Sequence, residues 1–445
     1  MTESSTSGDT ADGQRPHPRV WVGPAVVVSL LMSLLATMYL AYVVDPAKHM
    51  HDFPVAVVNQ DQGDMLGGHV TNVGQQVSDA LVEHIPADKV DLQVLGMAET
   101  QKKLDDGTLY GAIVIPSDFT HRLSIFSAAS VAYDDVSRPT ITVITNPRVG
   151  SFAASMVRTI AENALGQTNR TIGTQLTTMM QTQIQSGSGQ APAMAGLSRL
   201  MLAEPVELVV APNHPLPPGT GDGLVAFLYT LLVLLGGFTG AMVINGMVDS
   251  SLGFAPAELG PWYSHVPRAR ISRLRTLMLK WSIIVGAAPI VAGIYMGVAH
   301  WLGTPVDRPL ALFLYSTMAI IAVGVTALSI LAVFGTMGLL INLVLFVVLG
   351  LPTSGGTIPI EAIPERLVWL ARFEPMHQVY LGIRAILHFN AEADSGLGRA
   401  VWMTLIGLTI GLVLGATATR YYDHKGLHRK PADAKVAEVM DSVAA

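Results

Sequence analysis

Few side chains in this chain have the charge or hydrogen-bonding groups to contact a ligand. Glu374, His377 and Arg384 lie in one short stretch near the C-terminal end, and a carboxylate, an imidazole and a guanidinium can together bind a polar head group. Asn245 and Asn342 are polar residues inside apolar runs. We interpret these five residues as candidate contacts for an amphipathic ligand. Helix capping and ion pairing are the alternative for the first three.

The motifs of common enzyme classes are absent from the sequence. It contains no G-x-x-x-x-G-K-[ST] phosphate loop, no G-x-S-x-G and no H-E-x-x-H. His49 and His51 flank the first apolar run beside Asp52, but a metal site needs more ligands than this stretch offers. The absence of cysteine excludes disulfides and thiolate metal sites. We therefore predict no catalytic activity, no cofactor and no metal ion.

Long apolar runs dominate the chain. Half of the residues are apolar, 13% are charged and the mean hydropathy is +0.44. A helix needs about 20 apolar residues to cross about 30 Å of hydrocarbon. The runs predict a polytopic α-helical membrane protein with six transmembrane helices, arranged as one plus five, and a mixed α/β domain between the first and second spans. The predicted spans are 20–44, 224–248, 277–301, 310–334, 338–351 and 400–420.

Lysine and arginine predict the orientation of these spans, because they concentrate on the cytoplasmic side. With a cytoplasmic N-terminus, the inner side holds Arg15, Arg19, the basic residues of 268–280 and those from Arg420 onwards. We predict a multi-pass protein of the plasma membrane with both termini in the cytoplasm. The first run is too long for the apolar core of a signal peptide, so we expect a retained anchor. A disordered leader (1–19), an outer domain (45–222) and a cytoplasmic tail (421–445) complete the prediction.

The fifth apolar run is short and is followed by helix breakers. Leu351-Pro352-Thr353-Ser354-Gly355-Gly356 ends the run, and the apolar pieces after it are too short to cross a bilayer. We predict that residues 352–398 form re-entrant or interfacial helices within a five-span permease domain, 223–420. A plain extracellular loop is the alternative. Trp369, Phe373 and Tyr380 favour the membrane interface.

Ionisable residues are almost absent from the predicted spans. Lys280 lies near the edge of its span, where we expect its side chain to snorkel towards water. A proton-driven carrier usually buries carboxylates, histidines or arginines in its bundle. The pattern therefore disfavours proton coupling and favours an apolar or amphipathic ligand over a small charged one.

The outer domain shows the alternating signals of an α/β fold. Short apolar or alternating runs predict strands at 54–58, 90–94, 110–115, 140–145 and 206–210. Helices are expected from Met65 to Ile85, from Ala98 to Asp106 and after Ser117, a candidate N-cap.

A longer helix is predicted between Gly150 and Gln185, followed by a flexible break at Ser186–Gln190. Its apolar stripe contains two methionines. We expect the stripe to pack on the domain's own sheet, with a groove for a partner as the alternative. The stripe consists of Ile172, Leu176, Met179, Met180 and Ile184.

Three separated stretches resemble the YhgE/Pip family, named for phage infection protein, within the type-2 ABC transporter permeases. They are Phe53–Gly63, Leu104–Phe119 and the region from Ser354 to Pro375. The resemblance implies a permease fold with one span, an outer domain, five spans and short re-entrant helices before the last. It implies no enzymatic site. Some members resemble phage receptors or accessory proteins of type VII secretion.

An ABC-type permease needs a separate ATPase, because this chain has no phosphate loop of its own. The inner loop from Asp249 to Thr276 is the largest candidate docking surface. We expect a basic amphipathic helix from His265 to Arg275, whose arginines would face an acidic groove on the ATPase or anionic lipid. The four arginines are Arg268, Arg270, Arg273 and Arg275.

Glycines recur at four-residue spacing in three predicted spans, which lets helix backbones approach closely. Packing within the chain and a dimer seam are both compatible with this pattern. Since a permease of this kind needs two halves to enclose a path, we expect a homodimer or a paired paralogue. The candidate packing glycines are Gly236, Gly240, Gly293, Gly297, Gly407, Gly411 and Gly415.

Two functions from different classes remain open at this stage. The first is a permease that exports an apolar or amphipathic molecule with a partner ATPase, and the five polar residues above would contact the cargo. The second is a non-transporting scaffold or receptor that acts through the outer domain. The lipid bilayer is the expected environment for both. A net charge of −6 does not indicate nucleic acid as a partner.

Overall fold

The computed structural model describes residues 19–43, 45–66, 69–132, 137–186, 203–264 and 266–427. Helix α1 (Arg19–Val43) and the short α2 (Pro46–His49) lead into a sheet domain, and a bundle of apolar helices follows. The predicted leader falls almost wholly outside the described residues. The predicted break after Ser186 and most of the C-terminal tail also lie outside them.

A five-stranded mixed sheet forms the core of the first region, in the order β4-β1-β5-β6-β7. Strand β1 lies between two parallel neighbours, and it is apolar on both faces because both faces are covered. Strands β5 and β6 are antiparallel, whereas β6 and β7 are parallel. The strands are β1 (Phe53–Asn59), β4 (Val90–Val94), β5 (Gly111–Ile115), β6 (Thr140–Thr145) and β7 (Glu207–Pro212).

Helices α3 (Val73–His84), α4 (Met97–Asp105) and α5 (Phe119–Ala132) cover the sheet. The predicted helix from Met65 to Ile85 is wrong in its first part, which forms a hairpin of β2 (Asp64–Leu66) and β3 (His69–Thr71). Helix α3 begins where the Asn72 side chain accepts a hydrogen bond from the Gln75 backbone N–H at 2.7 Å. That N-cap fixes the start of the helix.

Helix α6 (Ser151–Ser186) contains 36 residues, a length of about 54 Å. Ile172 and Leu176 are buried in the domain core, as predicted. Met179 is 44% exposed. The side chains of Met180 and Ile184 lie outside the part of the chain that the structure describes. The predicted apolar stripe therefore packs on the sheet up to Leu176 and leaves it by Met179.

Four helices among the described residues are long and apolar enough to cross a membrane. They include α7 (Leu224–Ser251), α8 (Arg273–Trp301) and α9 (Pro309–Phe334). Shorter apolar helices cover Ala25–Ala41 and Met337–Thr353. The second of these consists of α10 (Met337–Leu343), a π-helical turn and α11 (Gly350–Thr353). These helices, together with the sheet, support a membrane protein with a mixed α/β region.

The segment that precedes the last long helix is folded, so the plain-loop alternative is wrong. It contains a 3₁₀ turn (Ile360–Ala362), α12 (Glu365–Ala371), α13 (Pro375–His388) and a π-helical turn (Ala393–Leu397). Helix α14 (Gly398–His424) follows and extends four residues beyond the predicted end at 420. Helix α13 is buried against α7, α9 and α14.

Helix α9 lies at the centre of the bundle and packs against α7, α8 and α14. Glycines permit these close approaches. A Cβ atom on Gly237 of α7 would lie 2.7 Å from Val323 of α9. A Cβ on Gly338 of α10 would lie 2.8 Å from the carbonyl oxygen of Ile330. These glycines were not among those predicted.

Candidate functional site

Glu374 and His377 lie at the start of α13, where they hold the broken segment together. The Glu374 side chain caps the helix, because its Oε2 accepts a hydrogen bond from the His377 backbone N–H at 3.0 Å. The His377 ring nitrogen Nδ1 lies 2.9 Å from the Ser354 carbonyl oxygen. Both side chains are buried. Their placement fits the predicted alternative of helix capping, and neither presents an open surface to a ligand in this conformation.

The Ser354-Gly355-Gly356 stretch reaches His377 through a backbone turn that requires glycine. Gly355 has φ of +73°, in the left-handed region that side chains disfavour. A Cβ on Gly356 would collide with Phe227 of α7. The glycines that interrupt the apolar run therefore also bring this turn against the bundle.

Arg384 lies at a junction between the sheet domain and the bundle. We define the domain junction as Tyr110, Glu361, Arg384 and Phe389. The Tyr110 hydroxyl donates a hydrogen bond of 2.7 Å to Glu361 Oε2, across 251 residues of sequence. The Arg384 guanidinium lies 5.5 Å from the centre of the Phe389 ring. Cation–π contacts of this kind are strongest where water is excluded.

Further contacts seal the junction. The His51 backbone N–H donates to the Glu361 carbonyl oxygen at 2.8 Å. Arg148 of the sheet domain lies over the Phe389 ring at 5.7 Å from its centre. The Arg384 Nε atom is buried with no hydrogen-bond partner among the described residues. Arg384 is buried at this junction, and its charge affects the pKa of both Tyr110 and Glu361. Its predicted contact with a ligand would therefore require the junction to open.

Burial changes the proton affinity of the junction groups. Loss of water raises the pKa of the Glu361 carboxyl above its ordinary value of 4.5, although the Tyr110 hydrogen bond and the Arg384 charge oppose the shift. Burial also raises the pKa of the Tyr110 phenol well above 10.0, and the nearby Glu361 adds to that rise. The phenol therefore remains a donor over the physiological pH range.

Lys280 is not at the edge of the bundle, so the expected snorkelling is wrong. Its side chain is buried, and its Nζ lies 2.7 Å from Asn245 Oδ1 and 2.7 Å from Asp249 Oδ1. Asp249 lies in the last turns of α7, about one turn beyond Asn245. The pairing explains why a lysine is tolerated between two helices, because its charge is matched where water is excluded. Asn245 accepts a hydrogen bond from Lys280 and so helps to hold the lysine side chain beside Asp249.

Asn342 is fully buried in α10, where its Nδ2 donates to the Ala327 carbonyl oxygen at 3.0 Å. Its Oδ1 atom is buried without a hydrogen-bond partner among the described residues. Asn342 therefore links α10 to α9. The five predicted polar contacts do not form one pocket: Glu374, His377 and Arg384 lie on α13, whereas the two asparagines belong to separate helix contacts.

The expected basic helix from His265 to Arg275 is wrong. Residues 266–272 are irregular, and α8 begins only at Arg273. The Ser272 hydroxyl caps this helix by accepting a hydrogen bond of 3.2 Å from the Arg275 backbone N–H. Arg268 and Arg270 lie in the irregular part and line a groove of about 420 Å³. A hairpin of β8 (Ala257–Leu259) and β9 (Trp262–Ser264) lies on the same loop.

The start of α8 is bound to the end of α14, a contact that the sequence analysis missed. The Asp423 carboxylate accepts hydrogen bonds from the backbone N–H groups of Arg273 and Leu274 at 2.9 and 3.1 Å. The Arg273 guanidinium lies 5.2 Å from the centre of the Tyr422 ring. Arg273 therefore has a structural role, while Arg268, Arg270 and Arg275 are exposed.

The predicted glycines fall into two groups. On Gly236, Gly240, Gly411 and Gly415, an added Cβ would touch a neighbouring helix of the same chain. On Gly297 and Gly407, nothing described lies within 4 Å of that position, and on Gly293 the nearest atom is 3.9 Å away. In the first group the Cβ position faces another helix of the same chain, and in the second group it faces open space.

Among the described residues, no three histidine, aspartate or glutamate side chains cluster as they would around a metal ion. A family model described as a protein of unknown function, DUF3533, matches residues 25–410. No curated protein matches the chain. The family description names no activity, so the resemblance to YhgE/Pip stays a prediction. Since the match extends from α1 through most of α14, the chain belongs to the DUF3533 family.

Proposed function

We propose that this protein is a membrane permease of the type-2 ABC exporter kind, which exports an apolar or amphipathic molecule with the help of a separate ATPase. One observation carries the proposal: the short helix α13 is buried inside the apolar bundle and joined to the sheet domain through the domain junction. Because α13 contacts both regions, a movement of the bundle helices would shift the sheet domain. A movement of the sheet domain would likewise shift the bundle.

The proposal includes six membrane passes. Helix α1 spans 25 residues, about 37 Å, which exceeds the hydrocarbon thickness of about 30 Å. Met337–Thr353 spans 17 residues, about 25 Å, which comes close to that thickness. With four longer helices this makes six. Both termini then lie in the cytoplasm, the sheet domain lies outside the plasma membrane, and the segment from 352 to 398 re-enters the outer leaflet.

The placement of charge supports an apolar or amphipathic cargo. Lys280 is neutralised by Asp249, and Glu374 is engaged in capping α13. A path for a small charged substrate would need polar groups that water or substrate can reach. The bundle instead exposes apolar side chains, such as Ile294 and Ile410, on its outer surface.

The loop between α7 and α8 is the proposed docking surface for the ATPase. Trp262 and Tyr263 are 76% and 65% exposed on the hairpin, and Arg268 and Arg270 are exposed beside the groove. Tryptophan, tyrosine and arginine are the residues that most often dominate binding energy at protein interfaces. Anchoring to anionic lipid is the competing role for the same arginines.

We expect the active form to be a homodimer or a pair with a paralogue. Gly293 and Gly297 form an open small-residue face on α8. Small residues permit two helices to approach closely within a bilayer, and such faces recur at helix seams.

The test is purification of the full chain from its native membrane in a mild detergent, followed by identification of bound proteins. We expect an ATPase to co-purify with the wild type and to be lost from an R268E/R270E variant. The control is R138E/R170E, which reverses two exposed arginines of the sheet domain. Absence of any ATPase from the wild-type complex, or its retention by R268E/R270E, would contradict the docking proposal.

A second function, a scaffold or receptor that does not transport, has one observation in its favour. Helix α6 continues for ten residues beyond Leu176, and Met179 is exposed on that extension. A helix that continues beyond the core on which it packs leaves that extension available to a groove on a partner. Loss of export on deletion of the chain would favour the permease. Unchanged export, with loss of a phage or secretion partner, would favour the scaffold.

A further inference from the structure

An apolar groove of about 190 Å³ runs along the side of the bundle between α9, α14 and the start of α13. Its walls include Val323, Phe346 and Ile406, and its floor lies beside Gly407. A Cβ on Gly407 would meet nothing within 4 Å, so this glycine leaves the groove open. Phe373 and Ile410, which also line it, are 68% and 60% exposed.

Two arginines lie at one end of this groove. Gln378 is buried and lines the groove, and it contacts both arginines: its Nε2 donates to the Arg372 carbonyl oxygen at 2.9 Å, and its Oε1 accepts from Arg399 Nε at 3.2 Å. A terminal nitrogen of Arg399 lies 3.5 Å from the same Arg372 carbonyl oxygen. The Arg399 guanidinium is therefore held against the backbone of Arg372 at the mouth, and the side chains of both arginines are exposed there.

Among the described residues, no carboxylate forms an ion pair with Arg372 or Arg399. The ion pairs in that part of the chain join other side chains. Arg399 is the second residue of α14. A cation is unfavourable at that position, because the helix dipole already places positive charge there. Helix stability therefore gives no reason for an arginine at this place, whereas an anion would be attracted to it.

The groove also has the length of one membrane leaflet. Ile410 follows Arg399 by eleven residues on α14, which is a rise of about 16 Å. Half of the hydrocarbon thickness is about 15 Å. A charged head group at the arginines would place an acyl chain along Phe373, Gly407 and Ile410.

We propose that this groove binds an anionic phospholipid of the bilayer, with its phosphate at Arg372 and Arg399 and one acyl chain along Gly407. Arginine suits this role because its planar donors match phosphate oxygens. Lipid binding in this groove does not require transport, so a test of it is independent of the proposed export function.

The test is native mass spectrometry of the full chain in detergent, supplied with equal amounts of phosphatidylglycerol and phosphatidylcholine. We expect the wild type to retain phosphatidylglycerol preferentially. The R372Q/R399Q variant should lose that preference, by about fivefold for each arginine removed. Gly407→Leu should reduce retention of both lipids, because its side chain would occupy the groove.

Matched controls are Arg366→Gln, an exposed arginine on α12, and Gly286→Leu, an exposed glycine on α8 with nothing within 4 Å of its Cβ position. Neither should change lipid retention. Equal retention of the two lipids by the wild type would overturn the proposal, as would an unchanged preference in R372Q/R399Q. Conversion of a dimer to a monomer by Gly407→Leu, with lipid retention unchanged, would assign the groove to a second copy of the chain. Thermal unfolding of each variant confirms that it is folded.

Discussion

The sheet domain and the helical bundle use the same apolar residues in opposite ways. In the sheet domain, large side chains such as Leu81 and Ile113 are fully buried. In the bundle, Ile294 and Leu310 are 57% and 69% exposed on the outer surface. An apolar surface of that kind is costly in water but not in hydrocarbon. The difference indicates that burial of apolar area holds the first region together, whereas close helix contacts and paired polar groups hold the second.

Polar groups show the same contrast. In the sheet domain, Asp61 accepts hydrogen bonds from the backbone N–H groups of Gly74 and Thr120, both at 3.0 Å, so one carboxylate joins two helix starts. In the bundle, Lys280 and Asp249 join two helices through a buried ion pair. Breaking a pair of that kind leaves an unmatched charge where water is excluded, which costs more than the pair itself contributes.

The largest predicted effect comes from Lys280. Lys280→Met should lower the free energy of unfolding by about 3–5 kcal/mol, because Asp249 loses its buried cation. The measurement is denaturation by SDS in mixed micelles. The double variant K280M/D249L is the control, since it removes both charges, and we expect it to recover most of the loss. Equal stability of the single and double variants would show that the pair does not hold α7 to α8.

A matched pair of truncations tests the contrast between the two regions directly. Leu81→Ala should destabilise the sheet domain by about 2–5 kcal/mol, because it leaves a cavity in a closed core. Ile294→Ala, on the exposed face of α8, should change stability by less than about 0.5 kcal/mol. Thermal unfolding and limited proteolysis measure the first, and SDS denaturation measures the second. Comparable losses in both variants would place Ile294 in a covered interface.

The smallest predicted effect lies at the domain junction, where the two regions meet. Tyr110→Phe removes the hydrogen bond to Glu361 and should cost about 1 kcal/mol. The measurement is the rate of hydrogen exchange in β5 and in the 3₁₀ turn at Ile360–Ala362. We expect faster exchange in both segments together, and a change in one segment alone would contradict a shared junction.

The same contact predicts a pH dependence. The pKa of Glu361 is raised in the folded protein, so unfolding releases a proton above the ordinary pKa. The stability of the junction should therefore be complete below about pH 4.5 and should decline as pH rises through the raised pKa. Glu361→Gln should remove this dependence, whereas Glu365→Gln, at an exposed carboxylate on α12, should retain it.

Local sequence patterns predicted the strands and helices whose conformation is determined by residues close to them in sequence. The alternation of Val90–Val94 and Thr140–Thr145 predicted strands with the observed bounds, because each is half buried in a sheet. The hairpin at Asp64–Thr71 was missed, since Asn72 caps a helix that begins later than the apolar spacing indicates.

The candidate site was harder to predict, because its contacts join distant residues. Tyr110 and Glu361 are separated by 251 positions, and no local pattern connects them. Lys280 looked accessible because it lies near the edge of its predicted span, yet it is buried and pairs with Asp249 on another helix. The capping role of Glu374 was foreseen as an alternative, since a carboxylate before Pro375 is a local signal.

The contact between Asp423 and the start of α8 has a consequence for biosynthesis. Asp423 follows the N–H groups that it caps by about 150 residues, so it leaves the ribosome after them. During translation those two N–H groups must rely on solvent alone, because Ser272 caps the N–H of Arg275 instead. This end of the bundle therefore closes only when α14 is complete, and a chain that stops before Tyr422 would retain its helices but leave that end open to cellular proteases.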